Sequence, residues 1–225
     1  MTTGEEGIVE AKRRIRREMS EVLAHLGPSD RRAASIALAQ RLKAVPAVRD
    51  ARTLMAFLSL PTEIDTWPII RWAWGQGKRV AVPRIGPAPR ADAPLGDRDM
   101  VPVILEAADV ESAGDHPAVR PGPLGILDVP GAAAVALSQI DVVLAPCQAM
   151  DRAGHRLGKG GGFYDRFLSR PDLRAWRIGI GFRDQVLDEI PVAEHDCRVD
   201  MVVTDAEVLT VDGDACRKGS AAGTG

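Results

Sequence analysis

The segment Arg156-Leu157-Gly158-Lys159-Gly160-Gly161-Gly162-Phe163-Tyr164-Asp165 concentrates more chemistry than any other part of this chain. Four glycines leave the backbone free to take positive φ and to present its N–H groups, with no Cβ atoms in the way, as a cradle for an anion. Phe163 to Ser169 has helix-compatible composition, with Phe163, Phe167 and Leu168 on one side, so the turn is expected to feed the positive end of a helix dipole. Upstream, Ile140 to Leu144 reads as an apolar strand, and the order strand, glycine loop, helix suits phosphate. Neither familiar signature is met. The dinucleotide pattern breaks at Phe163, and the phosphate-loop pattern requires Ser or Thr after its lysine.

Other residue types extend the list of sites. Lys12, Arg13, Arg14, Arg16 and Arg17 form a basic run in which Lys12 and Arg16 fall one helical turn apart, spaced either to grip one anion or to form a solvated face paired with Glu10 and Glu18. Glu63 and Asp65 follow an apolar run ending at Leu58, the side on which open α/β sheets bind ligands. Asp65 has a competing role as a helix cap, whereas Glu63 has the chemistry to pair with a donor-rich heterocycle. Asp165 follows the glycine turn directly. A carboxylate beside phosphates calls for a cation between them, Mg²⁺ through oxygen ligands, and Asp196 in Glu194-His195-Asp196 is either a second such carboxylate or ordinary loop charge. His155 and His195 are assigned no role, and Cys147, with no identifiable base, reads as a small buried apolar residue.

These residues need elements to hold them. Ile8, Ile15, Met19, Val22 and Leu26 mark one buried face of a first helix; Gly27-Pro28 ends it, and a second, capped by Ser29 or Asp30, runs from Ala33 to Val45 with Ile36, Leu38, Ala39 and Leu42 inward. Thr53 to Leu58 reads as a strand, Asp65 to Trp74 as a helix capped by Asp65 or Thr66 with Pro68 in its first turn, and Arg79 to Val82 as a strand stopped by Pro83. Proline and glycine from Gly86 to Pro130 predict long surface loops with a short strand at Met100 to Leu105. Further strands at Arg177 to Phe182 and Met201 to Thr204 flank a short helix near Asp184 to Glu189. The alternation predicts a mostly parallel sheet covered by helices, forming a single domain over residues 1–212, followed by a small, polar, disordered tail over 213–225.

Composition narrows the classes. A chain of 225 residues, 45% hydrophobic and 27% charged, is ordinary for a water-soluble globular protein. A formal net charge of −2 exerts no global pull on nucleic acid or anionic membrane, so an anion must be held by local clusters. Three cysteines, Cys147, Cys197 and Cys216, without Cys-x-x-Cys spacing, argue against a disulfide scaffold and for a reducing cytoplasm. No apolar signal segment or spanning run is visible.

Taken in order, these motifs resemble the 5-formyltetrahydrofolate cyclo-ligase (5,10-methenyltetrahydrofolate synthetase) family from about Ala11 to Asp205. The resemblance rests on the basic helix with Lys12 and Arg16, on Phe57-Leu58-Ser59 followed by Glu63-Ile64-Asp65-Thr66, and on Val82-Pro83-Arg84. Asp99-Met100-Val101, Arg156 to Leu168, and Glu194-His195-Asp196 with Val199-Asp200 complete it. The glycine stretch is similar to the family's Arg-Leu-Gly-x-Gly-x-Gly-Tyr-Tyr-Asp. Three places depart from the family's pattern: Phe163 for the first tyrosine, Pro146-Cys147-Gln148-Ala149-Met150 for Pro-Gly-x-Ala-Phe, and Asp128 for a commoner glutamate.

The resemblance implies a three-layer α/β/α fold of the sugar-phosphate isomerase and CoA-transferase group. It implies an ATP- and Mg²⁺-dependent closure of 5-formyltetrahydrofolate to 5,10-methenyltetrahydrofolate, with ADP and phosphate released. The formamide oxygen is a poor leaving group; phosphorylating it lets the neighbouring folate amine attack before phosphate departs, and no protein nucleophile is required. By matching position, Lys12, Arg13, Arg14, Ile15 and Arg16, together with Arg156 to Tyr164, would bind ATP. Leu58, Glu63, Arg16 and Tyr164 would face the folate, Tyr164 and Arg156 would border the reacting centre, and Asp165 and Asp196 would hold Mg²⁺. The implied partner is a small folate, with no nucleic acid or membrane, and the implied protein is a monomer. Two other readings stand beside this one: a related ATP-dependent enzyme on another small formyl or amide compound, and a nucleotide-binding protein without turnover.

Overall fold

A sheet of mixed direction organises the chain, seen in a computed structural model that describes residues 3–87, 98–108, 110, 115–122 and 127–211. The expected disordered tail lies outside the described residues. Helices α1 (Thr3–Ala24), α2 (Pro28–Ala44) and α3 (Pro46–Asp50) precede strand β1 (Thr53–Met55), which α4 (Trp67–Gly75) connects to β2 (Arg79–Pro87). Then come β3 (Arg98–Ile104), the short pair β4 (Arg120–Pro121) and β5 (Leu127–Asp128), β6 (Val142–Pro146), and a hairpin of β7 (Ala149–Asp151) and β8 (Arg156–Leu157). After α5 (Phe163–Leu168) follow β9 (Trp176–Gly181), β10 (Val186–Leu187), β11 (Met201–Thr204) and β12 (Val208–Thr210).

The seven-stranded sheet has the order β12-β11-β9-β6-β1-β2-β3. Pairs from β11 through β2 are parallel, and both edges are antiparallel. The pleat sorts each strand between two cores. Leu54, Val80, Val82, Val142 and Leu144 pack with Leu38, Leu42, Ile69 and Ile70 of α2 and α4. Their neighbours Met55, Ala81, Val143 and Ala145 pack on the other face with Phe167 and Leu168 of α5. A sheet buried on both faces needs unbroken apolar strands rather than alternating ones, which is how these segments read. The result is the expected α/β/α arrangement.

Several elements differ from expectation. The strand β2 continues through Pro83, because Pro83 lies opposite Pro102 of β3. The Pro102 carbonyl instead accepts the Val135 N–H at 2.9 Å, so the backbone polar groups at this pair point away from each other and the missing N–H costs nothing. Val22 and Ile36 are exposed, and Leu23 and Ser35 take the inward positions of their helices. Gly27 precedes α2, and no side chain caps it. The expected helix over 184–189 is a single 3-10 turn at Arg183–Gln185 running into β10. Between β6 and the glycine turn stands the hairpin of β7 and β8, so β8 rather than the strand expected at 140–144 leads into it.

Candidate active site

The carboxyl ends of β1, β6 and β9 open into one cavity of about 1300 Å³, with Phe57, Leu58, Pro146, Cys147 and Ile180 in its wall. This is the edge at which parallel α/β sheets bind ligands. Helix α1 and the glycine turn form its rim. Lys12, Arg13, Arg16, Leu58, Glu63, Asp165, Asp196 and every residue from Arg156 to Tyr164 line it. Arg14 and Ile15 are not brought to it: Arg14 is exposed with Glu18 at 3.6 Å, and Ile15 is buried with Met19, Ala149, Leu157 and Ile190.

The glycine turn is held from below and from the side. Gly160 has φ +104° and Gly162, the residue before α5, has φ +65°, conformations that side chains with a Cβ seldom adopt. Arg16 Nε donates to the Gly158 carbonyl at 2.8 Å. Arg156, 4% exposed, donates through Nη2 to Asp165 Oδ1 at 2.7 Å, and the Cys197 N–H reaches the same oxygen at 3.3 Å. Because α5 has only six residues, its dipole is short, and the loop N–H groups must supply the attraction for an anion.

A second ion pair ties α1 to the far side. Lys12 is salt-bridged to Asp196 Oδ2, which also accepts the Ala193 N–H at 2.7 Å. On each of the two carboxylates one oxygen thus carries the protein hydrogen bonds, while Asp196 Oδ1 has the exposed His195 Nε2 4.0 Å away. Asp165 Oδ2 and Asp196 Oδ1 accept no hydrogen bond from the described residues. Carboxylate oxygens of this kind are the donors a hard divalent cation takes, and since among the described residues no group of three or more metal-ligating side chains gathers, such a cation would complete its shell with phosphate and water.

Two buried polar atoms of cavity-lining residues also lack a hydrogen-bond partner among the described residues: Arg156 Nε and the Tyr164 hydroxyl. The Arg156 guanidinium carbon stands 5.7 Å from the Tyr164 ring centroid. Burial, reinforced by the nearby Glu63 carboxylate, pushes the Tyr164 phenol far above its ordinary value, so it stays protonated and keeps a proton to donate. Cys147 is half-buried in the cavity wall rather than fully buried as expected, and desolvation there pushes its thiol up to about 11, above the ordinary value, which leaves it a thiol rather than a nucleophile.

Glu63 lies across the cavity mouth from the glycine turn, its Oε1 2.7 Å from Lys159 Nζ and its Oε2 accepting the Leu60 N–H at 2.8 Å. Asp65 accepts the Trp67 N–H at 2.9 Å, but the residue at the N-cap of α4 is Thr66, and no side chain caps the helix. His155 is bound to the buried Asp151 at 2.8 Å, and His195 is exposed at the rim. Of the residues that depart from the family's pattern, Phe163 and Cys147 line the cavity; Met150 and Asp128 do not.

Sequence reasoning missed Gln185. Its amide donates to the carbonyls of Cys147 and Gln148 at 2.6 and 3.0 Å, while its oxygen accepts the Phe182 N–H at 2.7 Å, so it holds the cavity floor in place. Nothing local in the chain signals a glutamine whose partners lie far back in sequence. Ile85 and Met100, on the antiparallel pair β2 and β3, also form an unforeseen apolar wall.

The profile of the 5-formyltetrahydrofolate cyclo-ligase family matches residues 8–205. The chain belongs to that family. It is 31% identical over 180 residues to the 5-formyltetrahydrofolate cyclo-ligase of Escherichia coli K12, covering 76% of this chain and 87% of that one. It is 28% identical over 202 residues to the mouse 5-formyltetrahydrofolate cyclo-ligase, covering 86% and 93%. The fold matches the Aquifex aeolicus 5,10-methenyltetrahydrofolate synthetase with a TM-score of 0.70 at 21% identity, over 95% of this chain and 96% of that one. The Mycoplasma pneumoniae 5,10-methenyltetrahydrofolate synthetase superposes with a TM-score of 0.64 at 16% identity, over 86% and 98%. Membership makes the chain a ligase of folate one-carbon metabolism, in a family whose reaction is an ATP-dependent cyclisation.

Proposed function

We propose that this protein closes 5-formyltetrahydrofolate to 5,10-methenyltetrahydrofolate with Mg-ATP, releasing ADP and phosphate. The observation that carries the proposal is the convergence on one cavity of the glycine turn, two half-open carboxylates and two buried polar atoms without partners. Lys12, Arg13 and Arg16, with the turn from Arg156 to Tyr164, bind the nucleotide. Arg14 and Ile15 support that helix from outside the cavity, through an ion pair and through packing. Asp165 and Asp196 hold Mg²⁺, which when bound neutralises charge on the phosphates.

Leu58, Glu63 and the apolar wall receive the folate, with Glu63 accepting from ring N–H donors. Arg16, between the helix and the turn, meets both ligands. Tyr164 and Arg156 face the reacting oxygens: Arg156 offers a fixed positive charge and a spare N–H, and Tyr164 a donor that does not ionise. Fixed donors of this kind act where charge develops, without reorganising. The buried wall keeps water from consuming the activated formyl group. Cys147 takes no part as a nucleophile, consistent with chemistry in which ATP supplies the activation.

The catalytic unit is read as one domain through residue 212, acting as a cytoplasmic monomer with neither nucleic acid nor membrane as a partner. The net charge of −2 supports the absence of a nucleic-acid partner, and the free thiols at Cys147 and Cys197 support a reducing compartment; among the described residues no helix is long and apolar enough to cross a membrane. The test is purified protein with Mg-ATP and 5-formyltetrahydrofolate, following methenyl absorbance and ADP together. One ADP per methenyl product is expected. ADP without product, or product without ADP, would contradict the proposal.

A further inference from the structure

The contact between Lys159 and Glu63 joins the two halves of the cavity, the glycine turn and the loop after β1. Glu63 is the fixed partner. Its side chain is 17% exposed and its Oε2 is tied to the Leu60 N–H at 2.8 Å. The loop beneath it is pinned: the Glu63 N–H donates to the Leu60 carbonyl at 2.9 Å, and the Thr66 N–H donates to Ser59 Oγ at 3.0 Å. The Thr66 hydroxyl in turn donates to the Phe57 carbonyl. Lys159 is the movable partner, on a flexible stem, with a side chain 50% exposed. Without ligands, both oxygens of Glu63 are therefore engaged within the protein, one by its own loop and one by the turn opposite.

We infer that Lys159 is a positioning residue that makes the nucleotide and folate sites cooperative. The inference rests on the reading that phosphates enter at the glycine turn and the folate at Glu63. A phosphate oxygen arriving at the turn competes for Lys159 and frees Glu63 Oε1 for the folate; a folate donor arriving at Glu63 frees Lys159 for phosphate. Whichever ligand comes first must open the bridge, and the second finds it open. Linkage makes the effect equal in both directions. A half-exposed ion pair limits it to about two- to five-fold in affinity.

The experiment is calorimetry with a non-hydrolysable ATP analogue plus Mg²⁺ and with 5-formyltetrahydrofolate, each alone and in the presence of the other. It compares the wild type, Lys159→Met and Lys159→Arg, with circular dichroism to confirm folding. In the wild type the analogue should tighten folate binding by about two- to five-fold. Lys159→Met should bind folate alone more tightly than the wild type does, by the same factor, and should lose the enhancement; Lys159→Arg should keep it. Folate affinity without nucleotide that is unchanged or weakened in Lys159→Met overturns the inference alone. A wild-type protein that binds neither ligand overturns it together with the reading beneath it.

Discussion

Arg156 and Asp165 stand at the two ends of the glycine turn, and their side chains meet at 2.7 Å with the guanidinium 1% exposed. The bridge closes the turn into a ring. Because the same Asp165 oxygen takes the Cys197 N–H, one carboxylate ties together the end of β8, the start of α5 and the approach to β11.

Removing Asp165 should therefore act on stability and on nucleotide use. Asp165→Ala leaves a buried guanidinium without its partner and should cost about 2–4 kcal/mol, since the carboxylate itself remains partly solvated. Loss of this proposed Mg²⁺ ligand should lower turnover with Mg-ATP by about 100-fold or more, with folate affinity little changed. Urea denaturation and calorimetry read the two effects separately. Equal loss of both ligands in folded protein would show that the site is not divided in this way.

Glu63→Ala is the mirror case. Folate affinity should fall by about ten-fold or more through loss of a charged acceptor, whereas nucleotide affinity should hold or rise slightly once Lys159 is released. Calorimetric titration of each ligand checks it. A variant with weakened nucleotide and normal folate binding would reverse the assignment.

Tyr164→Phe should separate chemistry from folding. The hydroxyl has no hydrogen-bond partner among the described residues, so its removal should leave the melting temperature unchanged or raise it. Turnover should drop by about ten- to a hundred-fold if the phenol meets charge on the reacting oxygens. A large loss of stability with unaltered turnover would show the hydroxyl to be structural.

Gly160→Val tests the turn. At φ +104° a β-branched residue is strained, and the Cβ would lie 3.6 Å from the Arg16 guanidinium carbon. The cost should be about 1–3 kcal/mol, shared between stability and nucleotide affinity. Unchanged affinity for the ATP analogue, measured by calorimetry, would remove this turn from the phosphate site.

The pH dependence of Cys147 follows from the desolvation of a half-buried thiol. With the thiol pushed up to about 11, the thiolate is scarce at neutral pH and grows only as pH rises toward that value. In a variant with Cys197 and Cys216 replaced by serine, iodoacetamide alkylation should keep accelerating from pH 7 to 10 without a plateau. A plateau near the ordinary thiol value would show that the group is not desolvated. Bound folate should slow the reaction, since Cys147 lines the cavity.

Much of the site was legible because its signals are local. Glycines at 160 and 162 announce a turn that only they adopt easily, and both have positive φ. Strands buried on both faces announce themselves by unbroken apolar runs, and β6, β9 and β11 lie within a few residues of where those runs put them. Errors came where a partner distant in sequence overruled local preference. Pro83 reads as a strand stop until Pro102 is set opposite it, and Val22 reads as inward until α1 is seated with Leu23 against the core. The segment after Phe182 reads as a helix, yet Val186 pairs with Met150 of β7.

What the chain determined by itself was a set of residue types in order: a basic helix, a carboxylate after the first strand, a glycine turn with its aspartate, and a late acidic loop. Those follow from local sterics and patterning, which act between near neighbours. Only the tertiary structure decided that Lys12 meets Asp196, that Lys159 closes on Glu63, and that Arg14 and Ile15 stay outside the cavity. The reason is geometric: ion pairs between distant segments depend on how helices are rotated and seated on the sheet, and that is set by the packing of the whole core rather than by any one stretch of it.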